Sequence, residues 1–526
     1  MKKMKRYIRQ TWVIVFALFV ASCEDMMKVD TTTGLATDDN YNSKSEIYGA
    51  LIGLAGSFSQ VAEQTIVLAG LKGDLMTPTA QAPEEFWDIF AYRADNNTTY
   101  TSSKKYYDIV LNCNDFLRRV KKYNRDVPGD IPEAVYKGMI SCAINYKVWS
   151  WLTIGKFWGE ASIYSSNLVN DNTEGIVRLS FEQLPQYLMD YMYGGEDGID
   201  AFQELDWKLV LDNPDLNWVG TNLDGRVLIG ELNMWAGNYQ EAIDNFLDYM
   251  IKTEKVGNAS YSYIFTHEPT DVGNAVITAV PFSAARGQEH NLRRLFSPVT
   301  PNLYYLAPTD LAVQLFESQI QTSYGKGDYS RGNGITYTKY ALNSNNVAYI
   351  SKYTLNTDKD QYTSDAAIYI YRVSELNLMI AEAYCFMGRF QEALAFMDEG
   401  VSDYWTGGGF RAPFQNMNDI LQKDVGVRAR AGLLKLDRDT VFYGCVTTQD
   451  SMRTVCSLIA DETALEYAYE GKRWPALMRM AIHLGENSFL SEKVSLKFGN
   501  GASYYKDLLD DRKNWFIPDV VNSTQK

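Results

Sequence analysis

The sequence predicts an all-α dominated body, in which tetratricopeptide-like helix pairs form a scaffold that carries long irregular loop insertions. Three observations support this prediction: helical hydrophobic spacing over much of the chain, one internal helix–turn–helix repeat, and a long Tyr-rich polar segment that interrupts the helical pattern. The chain has 526 residues, of which 46% are hydrophobic and 22% are charged. This is a globular composition with enough apolar residues for a sizeable core.

The first 22 residues have the charge-then-apolar order of a secretory signal. Five basic residues precede an uninterrupted apolar run of ten residues, Trp12 to Ala21, which is too short to span a bilayer as a helix. The run ends in Val-Ala-Ser-Cys, which resembles a bacterial lipobox, whose cysteine is acylated and becomes the first residue of the mature chain. We therefore expect a signal peptide over residues 1–22 and a lipid on Cys23; a cleaved signal without a lipid is the alternative.

The polar residues that follow include "DTTTGLATDD" and predict a flexible tether over residues 23–40. Helical spacing begins near Ser43, so residues 41–526 are expected to form a single body. A long aromatic helix is predicted within residues 130–158, with Trp149, Trp151 and Trp158 in the core.

The internal repeat pairs "LIGELNMWAGNYQEAI", which starts at Leu228, with "MIAEAYCFMGRFQEAL", which starts at Met379. The offset is 151 residues without a gap, and six of the sixteen positions are identical. In each copy a helix ends near a glycine, Gly237 or Gly388, and a second helix with a small residue follows. This is the pattern of a tetratricopeptide-like helix pair.

Residues from about 255 to 365 are rich in Asn, Ser, Thr, Gly and Tyr and do not have the spacing of long helices. We predict a loop-rich insertion here, because long irregular segments on a rigid scaffold often carry binding function. The tail after about Asn487 is likewise expected to be loop-like, with one short helix at "YYKDLLDD".

The charge and the cysteines exclude several classes. A net charge of −15 disfavours nucleic acid as a partner, since phosphate contacts need clustered Lys and Arg. Six cysteines in 526 residues do not make a disulfide scaffold. Buried free thiols are expected at Cys113, Cys142 and Cys385, whereas Cys445 and Cys456 could be bridged in an oxidising compartment.

Three further motifs resemble segments of the SusD/RagB family. "IYIYRVSELNLMIAEAYCFMG" and "YEGKRWPALMRM" resemble two C-terminal motifs of the family, and "YDIVLNCN" resembles an early one. In the second motif Pro475-Ala476 departs from the family pattern, which has an acid there. Glu24-Asp25 after the lipobox resembles the acidic tag of surface lipoproteins in Bacteroidetes.

The resemblance implies a lipid-anchored, surface-exposed protein of the outer membrane that binds glycans. Such a protein would pass its ligand to a TonB-dependent SusC-like transporter and would not be an enzyme. A peptide-capturing RagB-like member of the same architecture is the alternative. From the residues themselves we expect Glu470 and Arg473 to pair at i,i+3, and Trp474 to lie in the core.

Neither a catalytic constellation nor a cofactor site is evident. The three histidines lie outside any metal-binding spacing, and no nucleophile elbow or phosphate-binding loop is present. A glycosidase needs only two carboxylates, which leaves a lipid-anchored hydrolase as a third hypothesis. The Asp-rich stretches "DNPDLN" and "NTDKDQYTSD" carry oxygens that calcium prefers, but neither has EF-hand spacing, so no cofactor is expected.

Three loop patches have the aromatic, amide and charged side chains that sugars need. They are Phe86, Trp87, Tyr92, Arg93, Asn96 and Asn97; then Arg286, Glu289, His290 and Asn291; and finally Tyr304, Tyr305, Tyr329 and Arg331. Trp87 is the strongest candidate, although a short amphipathic helix over Phe86–Phe90 could instead tuck its ring inside. The acidic chain disfavours anionic glycans, unless the basic cluster of Arg286, Arg293 and Arg294 lines the site.

Overall fold

The computed structural model describes residues 41–164, 176–211, 222–257, 259–267, 273–342, 345–355, 365–403 and 409–518. The chain divides into two compact units, residues 1–47 and residues 48–526. The first unit is described only from residue 41, and the first helix begins at Lys44. The predicted signal, Cys23 and the tether lie outside the described residues.

Helices dominate the fold, which confirms the predicted class. They are α1 Lys44–Ser57, α2 Ser59–Lys72, α3 Glu84–Phe90, α4 Lys104–Asp126, α5 Glu133–Trp158, α6 Leu184–Gly194, α7 Gly225–Ala236, α8 Tyr239–Thr253, α9 Tyr261–Thr266, α10 Leu292–Phe296, α11 Asp310–Ser318, α12 Val373–Phe386, α13 Phe390–Leu394, α14 Val427–Arg430, α15 Arg438–Val441, α16 Thr448–Glu466, α17 Arg473–Leu484, α18 Asn487–Ser495 and α19 Ala502–Asp510. A π-helical turn, Ala395–Glu399, continues α13.

The two copies of the sequence repeat form helix pairs α7–α8 and α12–α13, as predicted. Each pair turns at a glycine with positive φ, 80° at Gly237 and 73° at Gly388. The absence of a side chain at Gly230 lets α8 approach, because a Cβ there would lie 2.4 Å from the Phe246 ring. The pairs also contact each other, with Tyr239 of α8 stacked on Phe386 of α12 at a centroid distance of 5.3 Å. This is tetratricopeptide-like packing.

Each repeat also buries one glutamate at the same position of its first helix. Glu382 of α12 accepts two hydrogen bonds of 2.7 Å from the guanidinium of Arg479 in α17. Glu231, at the matching position of α7, pairs with Lys156 of α5 at 2.5 Å. The repeat glutamates therefore join the helix pairs to neighbouring helices by buried, charge-assisted hydrogen bonds.

Helix α5 passes through the core and is buried on all sides from Gly138 to Trp158. Trp149, Trp151 and Trp158 are all buried, as the sequence predicts. Helices α1 and α2 together give one stretch, residues 44–72, that is long and apolar enough to cross a membrane. In the 18-residue window of this stretch that meets the criterion, 61% of the residues are buried, so the stretch is weak evidence for a span.

The described strands form two-stranded antiparallel sheets. The pairs are β1 Met76–Pro78 with β5 Leu306–Pro308, β2 Glu160–Ile163 with β3 Val177–Ser180, β4 Val276–Val280 with β10 Ile368–Arg372, β6 Ile320–Gln321 with β7 Gly325–Lys326, and β8 Tyr337–Leu342 with β9 Asn345–Ile350. Within the described parts of residues 255–365, no helix is longer than the nine residues of α11. This segment has the short, irregular character that its composition predicts.

The C-terminal tail contains the predicted short helix, α19, but it is more helical than predicted. Residues 487–495 form helix α18, and α19 follows after a 3-10 turn. Phe489, Leu490 and Val494 pack inward from α18 at helical spacing. These three apolar positions specify an amphipathic helix. The polar residues between them make the segment resemble a loop in the sequence.

Candidate ligand-binding site

The loop of residues 79–103, which contains α3, is attached to the body at its start. Strand β1 pairs with β5, and the pairing continues beyond the strand, where the Thr79 amide donates to the carbonyl of Tyr305 at 2.8 Å. The Thr79 hydroxyl also donates to the carbonyl of Tyr304 at 2.5 Å. These bonds fix the first predicted patch beside part of the third.

Helix α3 has one buried face and one exposed face. Phe86, Ile89 and Phe90 point inward, and the Phe86 ring lies 5.1 Å from Tyr100 and 6.0 Å from Tyr305. Trp87 is 37% exposed and meets Phe90 edge-on at 6.0 Å. The short amphipathic helix therefore forms, but the Trp87 ring is not tucked beneath it.

Glu63 of α2 joins the first and second patches. Its carboxylate accepts a hydrogen bond of 2.5 Å from the Tyr100 hydroxyl. It accepts another of 2.5 Å from the amide of Asn291 and a weaker one of 3.4 Å from the Asn291 side chain. Burial, together with the Glu63 charge, raises the pKa of Tyr100, so its hydroxyl stays protonated and keeps donating.

Beside Trp87 lie a carboxylate and a guanidinium that both face solvent. Arg93 donates to one oxygen of Asp88 through two nitrogens, at 2.8 and 3.1 Å, and its side chain is 61% exposed. Asn97 is exposed in the same loop. Asn96 instead bonds the backbone and hydroxyl of Ser103 at the start of α4, at 2.8 and 3.2 Å. We call Trp87, Asp88, Arg93 and Asn97 the α3 surface.

Tyr92, another predicted contact, serves as an attachment point of the loop. Its hydroxyl donates to the carbonyl of Lys72, and its ring packs 5.8 Å from Trp474. The residue has a φ of 58°, which is uncommon for a side chain of this size. The structure thus uses Tyr92 to hold the loop against α2 and α17, and its ring is engaged inside the protein.

In the second patch, His290 is buried. Its Nε2 lies 2.9 Å from the carbonyl of Ala366, and its Nδ1 accepts from the Leu292 amide at 3.2 Å. Burial lowers the pKa of His290, which favours the neutral ring with its proton on Nε2. The Arg286 side chain lies outside the described part of the structure. Asn291 is linked to the loop of residues 79–103 through Glu63, which bonds both Asn291 and Tyr100.

The third patch is divided among three environments. Tyr304 is buried, with its hydroxyl donating to the carbonyl of Ala348 at 3.1 Å, whereas Tyr305 is half-buried beside Phe86. Tyr329 is 57% exposed, and its ring lies 5.6 Å from that of Tyr324, which is even more exposed. Arg331 is fully buried, which contradicts its expected place on a ligand-binding surface.

Arg331 belongs to what we call the buried ion cluster: Asp328, Arg331, Lys352, Arg372, Arg430, Glu462, Glu466 and Glu470. It donates to Asp328 at 2.7 Å and to Glu462 at 2.5 Å. Arg372, at the end of β10, donates to Glu466 at 2.7 Å and to Glu470 at 2.8 Å. The cluster holds four acids and four bases, and it fastens the loop-rich insertion to α16.

The predicted pair of Glu470 and Arg473 does not form. Tyr469 and Gly471 have φ values of 62° and 81°, so Glu470 lies in a turn between α16 and α17. The i,i+3 spacing therefore does not bring the two side chains together. Arg473 instead grips Asp74 with two bonds of 2.7 and 2.8 Å, while Glu470 joins the buried ion cluster. Trp474 is fully buried, as predicted.

Two cavities lie away from the α3 surface. The first, of about 60 Å³, lies in the core, has room for a few water molecules, and is lined by charged groups that include Lys156, Glu231 and Glu375. The second is an open cleft of about 420 Å³ where α4 turns into α5, beside Pro128 and Tyr136. Among the described residues, no cluster of His, Cys, Asp and Glu could hold a metal ion. Residues 212–217 and 356–364, which contain nearly all of the two Asp-rich stretches, lie outside them.

Four residues of these surfaces or their supports were missed in the sequence: Glu63, Asp88, Tyr100 and Tyr324. Glu63 lies in an apolar helix and is remote in sequence from the residues that it joins. Tyr324 stands in a glycine-rich turn, "TSYGKGDY", which predicts a loop without indicating which ring faces outward. The glycine-rich composition around Tyr324 could have marked it as a candidate exposed residue together with Tyr329.

Comparison with known proteins gives a consistent result. The model of the SusD family matches residues 235–519. A SusD superfamily protein from Bacteroides vulgatus is 12% identical with a TM-score of 0.63, over 89% of this chain and 93% of that one. Surface glycan-binding protein A from Bacteroides uniformis is 16% identical with a TM-score of 0.61, over 91% and 97%. A laminarin-binding SusD-like protein is 13% identical with a TM-score of 0.57, over 90% and 98%. No curated protein matches the chain by sequence.

Proposed function

Because the chain belongs to the SusD family, we propose that it is a cell-surface lipoprotein that binds glycans. In this proposal it captures an oligo- or polysaccharide and delivers it to a TonB-dependent SusC-like transporter of the outer membrane. It acts by binding, without catalysis. Two structural neighbours are described as glycan-binding and laminarin-binding, which supports the ligand class.

The observation that carries the proposal is the exposed Trp87 on a loop that the body holds in place. A tryptophan face offers apolar area to the C–H side of a pyranose ring, and a stacked sugar still presents its hydroxyls sideways. Asp88 and Arg93, which lie beside it, supply an acceptor and donors for those hydroxyls. The ring needs little ordering on binding, because the loop is already bonded to Tyr305 at Thr79 and Phe86 of α3 packs on Tyr305.

The charges of the loop favour a neutral glycan. Glu84, Glu85 and Asp88 lie on α3, whereas Arg93 is already paired with Asp88. An anionic sugar would have to displace Asp88 from Arg93 and approach two further carboxylates. We therefore expect neutral polysaccharides to bind more tightly than uronic acid polymers.

The proposed anchor is Cys23, which follows the lipobox-like run and would attach the chain to the outer membrane. The tether of residues 23–40 would then leave the body free to approach a transporter. The lipobox and the family support this arrangement. The Cys23→Ala variant is expected to leave the membrane fraction. If the signal is instead cleaved without lipidation, Cys23→Ala and the wild type should partition alike.

The first experiment uses the chain from Glu24 onward in native gels that contain neutral or acidic polysaccharides, with mixed peptides tested by calorimetry. Retardation by a neutral glycan is expected. Trp87→Ala should weaken it at least tenfold, which corresponds to about 1.4 kcal/mol. Tyr443→Ala is the matched control, since Tyr443 is an exposed aromatic residue on a different loop.

Two results would contradict the proposal. Equal retardation of Trp87→Ala and the wild type would remove the α3 surface as the site. Silence on every glycan combined with heat from peptides would support the RagB-like, peptide-capturing alternative instead.

A further inference from the structure

Two buried cysteines from different helices lie in contact. Cys385 of α12 and Cys456 of α16 are both fully buried, and their sulfur atoms are 3.4 Å apart. The pair that the sequence suggested, Cys445 with Cys456, is not formed, because the Cys445 sulfur lies 3.5 Å from the Thr454 hydroxyl. All five cysteines among the described residues are free thiols.

We propose that Cys385 and Cys456 are a disulfide-forming pair that crosslinks α12 to α16 when the chain folds under oxidising conditions. A disulfide bond is about 2.05 Å long, so the two sulfur atoms must approach by a little more than 1 Å. At 3.4 Å no atom fits between them. The approach is therefore short, and it joins two helices that already pack together.

The chemistry is thiol–disulfide exchange with a disulfide donor, such as oxidised glutathione or the disulfide of an oxidoreductase. One cysteine thiolate attacks the donor and releases one donor thiol, which leaves a mixed disulfide on the chain. The second cysteine, as its thiolate, then displaces the other donor sulfur. The chain loses two electrons and two protons, and the donor gains two electrons and becomes two thiols. Secreted proteins meet such donors during export.

Burial determines when this exchange can occur. The attacking species is the thiolate, and burial raises the pKa of the Cys456 thiol well above its ordinary value. Neither sulfur is open to a donor once α12 and α16 have packed. The bond therefore closes while the helices are still associating, and afterwards it is shielded from external thiols.

The crosslink would join two parts of the protein that are already important for its architecture. Helix α12 is the first helix of the second repeat, and α16 carries Glu462 and Glu466 of the buried ion cluster. A covalent bond between them limits how far the unfolded chain can separate the scaffold from the cluster.

The test refolds the reduced chain in a mixture of oxidised and reduced glutathione, blocks the remaining thiols with iodoacetamide under denaturing conditions, and maps the peptides by mass spectrometry. A peptide pair linked through Cys385 and Cys456 is expected, with Cys113, Cys142 and Cys445 alkylated. Alkylation of Cys385 and Cys456, or a link through Cys445, would overturn the proposal.

Two variants separate the crosslink from other effects. Cys445→Ser should keep the linked peptide pair, whereas Cys385→Ser should leave Cys456 alkylated or bound to glutathione. Reduction in denaturant followed by refolding without a donor should lower Tm in the wild type but not in Cys385→Ser. An equal Tm for the wild type refolded with the glutathione mixture and the wild type refolded without a donor would contradict a structural role of the disulfide. Glycan retardation at the α3 surface is read separately and does not depend on the bond.

Discussion

The buried ion cluster and the α3 surface use the same kinds of residue in opposite ways. Both place an arginine beside carboxylates and aromatic rings, yet Arg331 is fully buried and Arg93 is 61% exposed. Inside, the charges pair with one another, and most of these pairs join segments that are far apart in the sequence. Outside, Arg93 pairs with Asp88 while both side chains stay accessible, so we expect that a sugar hydroxyl can join them. The comparison teaches that the same residue types can hold the fold together when they are buried and stay available to a ligand when they are exposed.

The largest expected effect comes from breaking the cluster at Glu466. Glu466→Gln removes a charge that pairs with Arg372 at 2.7 Å and Arg430 at 2.5 Å, and leaves buried cations in excess. We expect a loss of about 3–5 kcal/mol in the free energy of unfolding, measured by urea denaturation. A loss below about 1 kcal/mol would show that the cluster relaxes or admits water.

The same residue predicts a pH dependence. The charges of Arg430, Arg372 and Arg331 overcome the opposing effect of burial and hold the pKa of Glu466 well below its ordinary value of 4.5. A depressed pKa in the folded state contributes stability above the unfolded pKa and loses it as pH falls towards the folded pKa. Stability should therefore fall below about pH 4.5, and this fall should be smaller in Glu466→Gln.

A matched pair of tryptophan variants sharpens the contrast between inside and outside. Trp474→Ala should cost about 3–5 kcal/mol, because its ring is fully buried. Trp87→Ala should cost less than about 1 kcal/mol and should affect ligand binding instead. Thermal unfolding of both variants, measured together with glycan retardation, checks the pair. Similar stability losses would mean that Trp87 is a packing residue.

A third test concerns a buried charge that has no carboxylate partner. The ammonium of Lys72 lies 4.8 Å from the Tyr92 and Trp474 rings, and burial lowers the pKa of Lys72 to about 7. The charged groups that face this region are Lys497, which adds a like charge, and Asp74, which is already paired with Arg473. Lys72 therefore pays for burial without an ion pair.

Replacement of Lys72 should relieve that cost. A lysine whose folded pKa is lowered makes stability rise as pH increases from about 7 to 10.5, since the folded state prefers the neutral amine. Lys72→Met should raise stability by about 1–4 kcal/mol at pH 7 and flatten this rise. Chemical denaturation at pH 7 and pH 10 measures both. Lower stability in Lys72→Met at pH 7 would mean that the cation–ring contacts outweigh desolvation.

The smallest effect is expected at Arg93. Arg93→Ala removes an exposed ion pair, so the stability change should stay within about 1 kcal/mol. Glycan affinity should fall less than in Trp87→Ala, because water can replace a lost hydrogen bond but cannot replace a stacking face. Calorimetry with the glycan found in the first experiment gives the ranking. A larger loss at Arg93 than at Trp87 would reverse the proposed roles.

The sequence revealed the scaffold because the scaffold depends on local spacing. Gly237 and Gly388 turn the chain at equivalent positions, and Glu231 and Glu382 recur with them. These features repeat within short windows, where periodicity and turn residues are informative. The helical class and the repeat pairs could therefore be predicted.

The candidate site was harder to predict because exposure is decided by contacts between distant segments. Nothing near Arg331 in the sequence shows that Glu462 and Glu466 will surround it. Glu63 likewise joins Asn291 across 228 positions of the chain. Composition could identify aromatic and charged loop residues as candidates. Only the fold shows that Trp87 is exposed whereas Tyr92 is packed inside the protein.

The two ends of the described body are tied together by bonds that span most of the chain. Lys497 donates to the carbonyls of Leu71 and Gly73 at the end of α2, at 2.5 and 2.7 Å, and Arg473 grips Asp74. These partners are up to 426 positions apart. A ribosome therefore releases most of the polypeptide before α2 can be capped, and contacts of such long range form slowly. The contacts that complete the end of α2 can therefore form only after the last helices have been synthesised.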